Sequence, residues 1–223
     1  MRFSTRLRLS GAISALASLL AFEAHAQTAS GFALNRYEPA ERGSEWFSQD
    51  TLDLRGHMRP MAGVTADYGY KPLVIYNADG SERTAVVKQQ LFAHVGATIV
   101  MLDRIRLGFS VPVAVLQSGT EGTLAGTTYK PADKPAVGDV RLGGDVRIFG
   151  KYGDPLTFAG GVQVFIPSGS REQYTGDGKV RIIPRLQAAG DIGMFVYAAR
   201  LGLAYRGNNE SFGGGKLGTE FHW

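Results

Sequence analysis

The sequence predicts an all-β chain that forms an antiparallel, up-and-down transmembrane β-barrel with about eight strands. Three observations predict it: apolar and polar residues alternate with period two, the alternating segments run for about ten residues, and the connections are alternately short and long. Strands of soluble proteins typically have ~5 to 6 residues, whereas ~9 to 11 residues cross a bilayer at a tilt.

Residues 1–26 have the three parts of a secretory signal peptide. Basic residues precede an apolar run at 11–22, and small residues at Ala24 and Ala26 precede Gln27. A membrane anchor is the alternative, but the run is shorter than the ~20 apolar residues that a spanning helix needs. We therefore predict cleavage after Ala26 and export of the mature chain.

Charge and composition exclude several classes of protein. The formal net charge is +4, and removal of residues 1–26, with three arginines and Glu23, leaves +2. No stripe of Lys and Arg is present, so we expect no nucleic-acid partner. The absence of cysteine disfavours a small disulfide-stapled module. No further apolar run has the length of a spanning helix, so any membrane span must consist of strands.

The mature chain begins with a mixed segment and continues with strands. Residues 27–56 show neither helical nor strand periodicity, and we predict an irregular periplasmic lead-in there. Eight alternating segments follow and make up the predicted outer-membrane barrel, residues 57–223. They are 57–70, 90–101, 106–115, 139–149, 156–166, 180–191, 196–206 and 216–223.

The connections between these segments support the membrane interpretation. Outer-membrane barrels have short periplasmic turns and longer loops on the outer side. A soluble sandwich has no reason to keep that alternation. The short connections are 102–104, 150–155 and 192–194, and the longer ones lie near 77–84, 117–137, 167–179 and 207–215.

The charged residues of the predicted strands fall on one side. In VYAARLGLAYR, residues 196–206, the side with Leu201 and Leu203 is apolar, and Arg200 lies on the other. A charge facing lipid near the bilayer midplane costs ~2 to 4 kcal/mol, so we predict lipid against the leucines and the charges inside the barrel. The predicted lumen-lining residues are Arg59, Asp67, His94, Arg106, Arg141, Asp145, Arg147, Arg181, Arg185, Asp191 and Arg200, with Arg206 beside them.

Five segments carry a family resemblance: FALNRYEPAERGSEWF, LDLRGHMRP, YKPLVIYNADGSER, GDVRLGGDVRIFGKYGDP and VQVFIPSGSREQYTGDG. With them the chain resembles the N-terminal barrel region of OmpA-family outer-membrane proteins of the myxobacterial type. The last segment also resembles outer-membrane transporter barrels. The resemblance covers most of the mature chain and names no substrate. It implies a longer barrel followed by a peptidoglycan-binding periplasmic domain, to which no residues here correspond, so we do not carry cell-wall anchoring over.

The final segment allows two interpretations. The residues predicted to face outward in this segment end on an aromatic residue; they are Leu217, Thr219, Phe221 and Trp223. The last strand of a complete barrel ends in the same way, and that strand recruits the barrel-insertion machinery. The resemblance favours instead a chain that is cut short inside the barrel. So does the length of the segment, which is slightly under a full crossing.

The residues predict no catalytic, cofactor or metal site. His94 and Ser110 face the lumen from neighbouring strands, but a turn at Asp103 is expected to place His94 opposite Val113 and Ser110 out of hydrogen-bond reach. GGGKLG, Gly213 to Gly218, lacks the spacing and the Ser or Thr of a phosphate loop. The acidic loop pieces lack the ligand spacing of a calcium loop.

These observations predict a non-enzymatic outer-membrane barrel that is structural or a passive, porin- or transporter-like pore. Its expected partners are outer-membrane lipid and the barrel-insertion machinery, with small solutes in the lumen if it conducts. Eight strands usually enclose an interior filled by side chains, so conduction would require a longer barrel. Two alternatives stay open: a secreted soluble β-sandwich or lipocalin-like binding protein, and a barrel hydrolase.

Overall fold

The computed structural model describes residues 27–28, 30–207, 211–212, 215–216 and 218–222. This part of the chain is all-β and contains no α-helix. Over the same ranges, no helix is long and apolar enough to cross a membrane. The predicted signal peptide, half of GGGKLG and parts of the last predicted strand lie outside the described residues.

Nine strands form one antiparallel sheet, in which eight follow one another so that each pairs with the next of the eight along the chain; the ninth, Ala136–Val137, pairs with Val113 and Ala114 beside this path. The eight are named here in chain order. They are β1 Met58–Tyr76, β2 Glu82–Met101, β3 Ile105–Ser118, β4 Val140–Phe149, β5 Thr157–Ile166, β6 Arg181–Ile192, β7 Phe195–Arg206 and β8 Glu220–His222. The sheet is curled into a half-barrel. Among the described residues β1 and β8 are its two edges and do not pair with each other.

The first hairpin is longer than the sequence predicted. Alternation in β1 was expected to end at Tyr70, but the strand continues to Tyr76, and β2 begins at Glu82 instead of Gln90. The register shifts between Tyr70 and Leu73 and again between Leu73 and Val74. Such bulges break the period of two, which hides the continuing strand from a periodic pattern. The connection between β1 and β2 is therefore shorter than predicted.

The long connections pack together beyond the strand ends and form a layer that we call the loop cap, residues 119–139 and 167–180. A small apolar core joins this cap to the extended tip of the β1–β2 hairpin. Its buried members are Ile75, Val86, Val87, Tyr129, Ala132 and Tyr174. The cap therefore packs on the hairpin tip at one end of the half-barrel.

The convex face of the sheet is apolar. Large side chains such as Val64, Phe109 and Leu201 lie exposed on it. Over most of each long strand, none of the residues that point to the convex side is Asp, Glu, Lys or Arg. This holds for residues 58–70, 89–101, 105–116, 140–148, 158–166, 182–192 and 195–205. Within these ranges, the charged residues of the strands point to the concave side.

The concave side is occupied by residues 30–56, which we call the plug. The plug contains no strand or helix. Its Glu41, Arg42 and Asp50 are buried against the sheet, and Leu52 and Leu54 are fully buried. The sequence predicted an irregular lead-in here, and this irregular segment packs inside the curled sheet.

Candidate functional site

The predicted lumen residues lie on the concave side of the sheet, most of them around the plug. Arg59, Asp67, Arg147, Asp191 and Arg200 are partly exposed. The buried ones are His94, Arg106, Arg141, Asp145, Arg181 and Arg185, together with Arg206.

Two plug carboxylates and one strand carboxylate meet three arginines at the centre of the interior. We call Glu41, Asp50, Asp145, Arg106, Arg141 and Arg185 the central ion cluster. Arg106 donates to Asp50 at 2.5 Å and to Asp145 at 2.7 Å. Arg185 donates to Asp145 at 2.7 Å and to Glu41 at 3.1 Å. Three carboxylates and three guanidinium groups balance in charge, as burial requires.

Glu41 is the plug residue with the most partners in this cluster. Its carboxylate also accepts hydrogen bonds from Arg141 at 3.4 Å and from the Gln163 amide at 3.3 Å. Burial alone raises the pKa of the Glu41 carboxyl, but the nearby guanidinium groups outweigh burial and lower the pKa to about 2. Glu41 is therefore ionised at neutral pH and holds the plug to β4, β5 and β6.

Glycines on the concave wall make room for the plug. A Cβ atom built on Gly108 or on Gly143 would lie 2.8 Å from a Glu41 carboxylate oxygen. A Cβ on Gly96 would lie 3.1 Å from Arg42 Nε. Arg42 donates to Thr65 Oγ1 and to the carbonyl oxygen of His94, both at 2.6 Å. The wall is thus shaped to the side chains of Glu41 and Arg42.

A second set of ion pairs fastens the start of the plug below the loop cap. Asp177 accepts hydrogen bonds from the backbone N–H of Ala33 at 3.1 Å, from Arg206 at 3.2 Å and from Arg181 at 3.3 Å. Asp139 accepts from the backbone N–H of Asp177 at 3.0 Å. Cap, plug and strands β6 and β7 therefore converge on Asp177.

The other end of the plug is fixed by apolar packing and by a salt bridge. Leu52 and Leu54 pack against Val100, Ala159 and Ala189. Arg55 and Arg59 both donate to Asp53. These hydrogen bonds outweigh the effect of burial and lower the pKa of the Asp53 carboxyl. The plug is thus anchored along its whole length.

His94 is hydrogen-bonded, but not as part of a complete catalytic set. Its Nε2 lies 2.6 Å from Asp67 Oδ2, and Asn35 donates to the same carboxylate. The sequence predicted Val113 opposite His94. That prediction is wrong by one residue, because Met101 pairs with Ile105 and the register then places Pro112 there. Ser110 is consequently closer along the strand than expected.

Ser110 and His94 line the same small cavity, of about 50 Å³, between the plug and the sheet. The Ser110 hydroxyl is buried and has no hydrogen-bond partner among the described residues, so it is not bonded to His94. A cavity of this size and polarity suits one or two water molecules. Within the described ranges, no group of three or more His, Cys, Asp or Glu residues could hold a metal ion.

Glu41 and Asp50, the plug members of the central ion cluster, are not among the residues that the sequence pattern indicated. One signal could have indicated them. The strand residues predicted to face inward include eight arginines but only three carboxylates. The arginines are Arg59, Arg106, Arg141, Arg147, Arg181, Arg185, Arg200 and Arg206, and the carboxylates are Asp67, Asp145 and Asp191. Buried charges need partners, so an interior with that excess must draw acids from another segment. The segment 30–56 supplies Glu38, Glu41, Glu45, Asp50 and Asp53.

Comparison of the chain with models of known protein families gave no match, and comparison with curated proteins gave none either.

Proposed function

We propose that this protein is a membrane-embedded β-barrel protein of the outer membrane, exported through its signal peptide and held closed by its own plug. It has a structural role in the membrane and catalyses no reaction. Its partners are outer-membrane lipid and the machinery that inserts barrels.

The main support for this proposal is the convex face of the sheet. Within the ranges given above it carries no charged side chain on any of the seven long strands, and many large apolar side chains lie open to the surroundings; Val64, for example, is 66% exposed and Leu201 is 51% exposed. In water such a continuous apolar surface would drive aggregation. In hydrocarbon the same face is favoured, and each inward charge avoids the cost of facing lipid. The charge sorting therefore fits a bilayer better than water.

The plug favours a closed interior and argues against a passive pore. Side chains of Glu41 and Asp50 fill the centre of the concave side and are salt-bridged to β3, β4 and β6. An ion passing through would have to displace these pairs. We therefore expect no steady ion conductance from the resting protein.

Environment-sensitive labels test the proposal directly, because the chain has no cysteine of its own. Leu201→Cys places a label at the middle of β7 on the convex face. Glu121→Cys places the same label in the exposed loop cap and serves as the control. In membranes of cells that export the protein, the label at 201 should be blue-shifted and quenched by lipids with nitroxides on their acyl chains. The label at 121 should be neither.

Two results would contradict the proposal. One is a mature chain that stays monomeric in buffer without detergent and whose label at 201 is not quenched in the presence of lipid. The other, which concerns the closed interior alone, is steady conductance of the wild-type protein in a planar bilayer.

A further inference from the structure

We propose that the plug crosses the membrane inside the barrel, so that its first residues, Ser30 and Gly31, lie on the outer surface of the cell. The inference rests on the proposed outer-membrane location. It adds that the barrel presents the start of the plug outside the cell, whereas the end of the plug lies on the periplasmic side.

The start of the plug is fixed to the loop cap. The backbone N–H of Leu34 donates a hydrogen bond to the carbonyl oxygen of Tyr174 at 3.1 Å. The residues just before the plug, 27–28, pair in parallel with residues 127–128. Both partners belong to the loop cap. The start of the plug therefore lies at the end of the sheet where the long connections are.

The second half of the plug is fixed at the opposite end of the sheet. The backbone N–H of Gly56 donates to Asp103 Oδ1 at 2.6 Å, in the turn between β2 and β3. Tyr152, in the turn between β4 and β5, donates through its hydroxyl to Glu45 Oε1 at 2.6 Å. The Arg55 guanidinium lies over the same tyrosine ring, 4.2 Å from its centroid. These contacts hold the plug at the short turns.

The residues between the two ends follow the strands from the cap to the turns. The carbonyl oxygen of Pro39 accepts a hydrogen bond at 2.8 Å from Arg141, near the start of β4 at the cap end. The carbonyl oxygen of Arg42 accepts one at 2.7 Å from Thr98, close to the end of β2 at Met101. The plug therefore passes along the sheet from one end to the other.

The length of this path matches the thickness of the membrane. Strand β6 connects the two ends of the sheet with 12 residues. At ~3.3 Å per residue it is ~40 Å long, and a tilt of ~45° reduces this to ~28 Å across the membrane. The apolar band of outer-membrane barrels is ~25 Å tall. A segment that is tied to both ends of the sheet therefore spans the bilayer.

The charges of the plug require a path inside the barrel. Residues 30–56 include eight charged residues. Each would cost ~2 to 4 kcal/mol if it faced lipid near the midplane. On the concave side, the Glu41 and Asp50 carboxylates instead meet the buried guanidinium groups of Arg106 and Arg185. The interior of the curled sheet is therefore the polar route by which this segment crosses.

The lengths of the connections indicate which end faces outward. Outer-membrane barrels have short turns on the periplasmic side and longer loops on the outer side. Here the loop cap contains the long connections, and the opposite end has the turns 102–104 and 193–194. The cap, and the start of the plug with it, thus faces the outside of the cell.

Labelling of single cysteines on cells tests the inference, because the chain has no cysteine of its own. The probe is a charged maleimide that does not cross the outer membrane. Ser30→Cys places a thiol at the start of the plug, and Ser48→Cys places one near its other end; both positions are exposed. Glu121→Cys in the loop cap and Met194→Cys in the turn between β6 and β7 mark the two sides of the membrane.

We expect Ser30→Cys to react in intact cells to the same extent as Glu121→Cys. Ser48→Cys and Met194→Cys should react only after the outer membrane has been permeabilised. The reaction of each denatured variant gives the full extent of labelling. Heat-modifiable migration on a gel shows that each variant is folded.

Three results would overturn the inference. Reaction of Glu121→Cys without reaction of Ser30→Cys in intact cells would do so and leave the membrane location standing, as would equal reaction of Ser30→Cys and Ser48→Cys. Reaction of Met194→Cys but not of Glu121→Cys in intact cells would show that the barrel is inserted the other way round. Recovery of the folded wild-type protein from the aqueous fraction without detergent would overturn both proposals.

Discussion

The Glu41 carboxylate lies 3.1 Å from the Arg185 guanidinium, although 144 positions separate the two residues. Both side chains are buried, so water screens the attraction only weakly. The contact ties an irregular segment to the middle of β6. It explains how a segment without secondary structure keeps one position inside the sheet.

Replacement of Glu41 by Gln should destabilise the protein. The amide keeps the shape of the side chain but leaves Arg141 and Arg185 with too little negative charge. Removal of one partner from a buried ion pair typically costs 3–5 kcal/mol, and we expect a loss of about 3 kcal/mol in the free energy of unfolding. Urea unfolding in detergent, followed by tryptophan fluorescence, measures it. Glu121→Gln, on the exposed cap, should change the free energy by less than ~0.5 kcal/mol; equal losses would contradict the central role of Glu41.

The contribution of Glu41 should disappear in acid. Its pKa is lowered from 4.5 to about 2 in the folded protein. A carboxyl group whose pKa is lower in the folded than in the unfolded state stabilises the fold fully at a pH above its unfolded-state pKa. This stabilisation is lost as the pH falls through its folded-state pKa. The free-energy difference between the wild type and Glu41→Gln should therefore be about 3 kcal/mol at pH 7 and shrink steadily between about pH 4.5 and pH 2. A difference that stays constant over this range would show that Glu41 acts by packing alone.

Two adjacent glycines give a matched test of the wall. Gly143 faces the plug, and an added Cβ would lie 2.8 Å from Glu41 Oε1. Gly144 faces outward, where an added Cβ would meet only Leu107 Cδ2 at an ordinary 3.5 Å. Gly143→Ala should cost about 1–3 kcal/mol, because the ion-paired carboxylate has to move. Gly144→Ala, in the same strand, should cost little, and thermal unfolding of the two variants compares them. Equal midpoints would mean that the carboxylate moves freely.

A charge on the convex face should block membrane assembly. Leu201 pairs with Leu186 near the middle of β6 and β7. Under the proposed function, Leu201→Arg puts a guanidinium against lipid at a cost of about 2–4 kcal/mol, whereas Leu201→Met should be tolerated. Heat-modifiable migration of the membrane fraction on a gel measures the folded population. Normal assembly of the arginine variant would argue against lipid contact at this face.

The sequence by itself determined the all-β class, the strands and the side of each strand that carries charge. Neighbours such as Arg141 and Leu142, or Arg200 and Leu201, point to opposite faces because successive side chains alternate along any strand. This alternation is a local property, so the sequence of one strand is enough to predict which residues share a face. It failed where bulges interrupted the alternation beyond Tyr70, and it did not indicate the short strands Gly122–Leu124, Thr127–Tyr129 and Ala136–Val137 in the long connection.

Only the tertiary structure decided where residues 30–56 lie. This segment has no periodicity, so its own sequence does not identify its neighbours. Its position follows from long-range contacts: Glu41 with Arg141 and Arg185, and Asp50 with Arg106. Curling the sheet gathers arginines from β3, β4 and β6 into one buried space, and a buried excess of positive charge is stable only with carboxylates beside it. The arginines need those carboxylates only once the sheet has folded and brought them together. The pattern along the individual strands therefore does not indicate which residues supply the carboxylates.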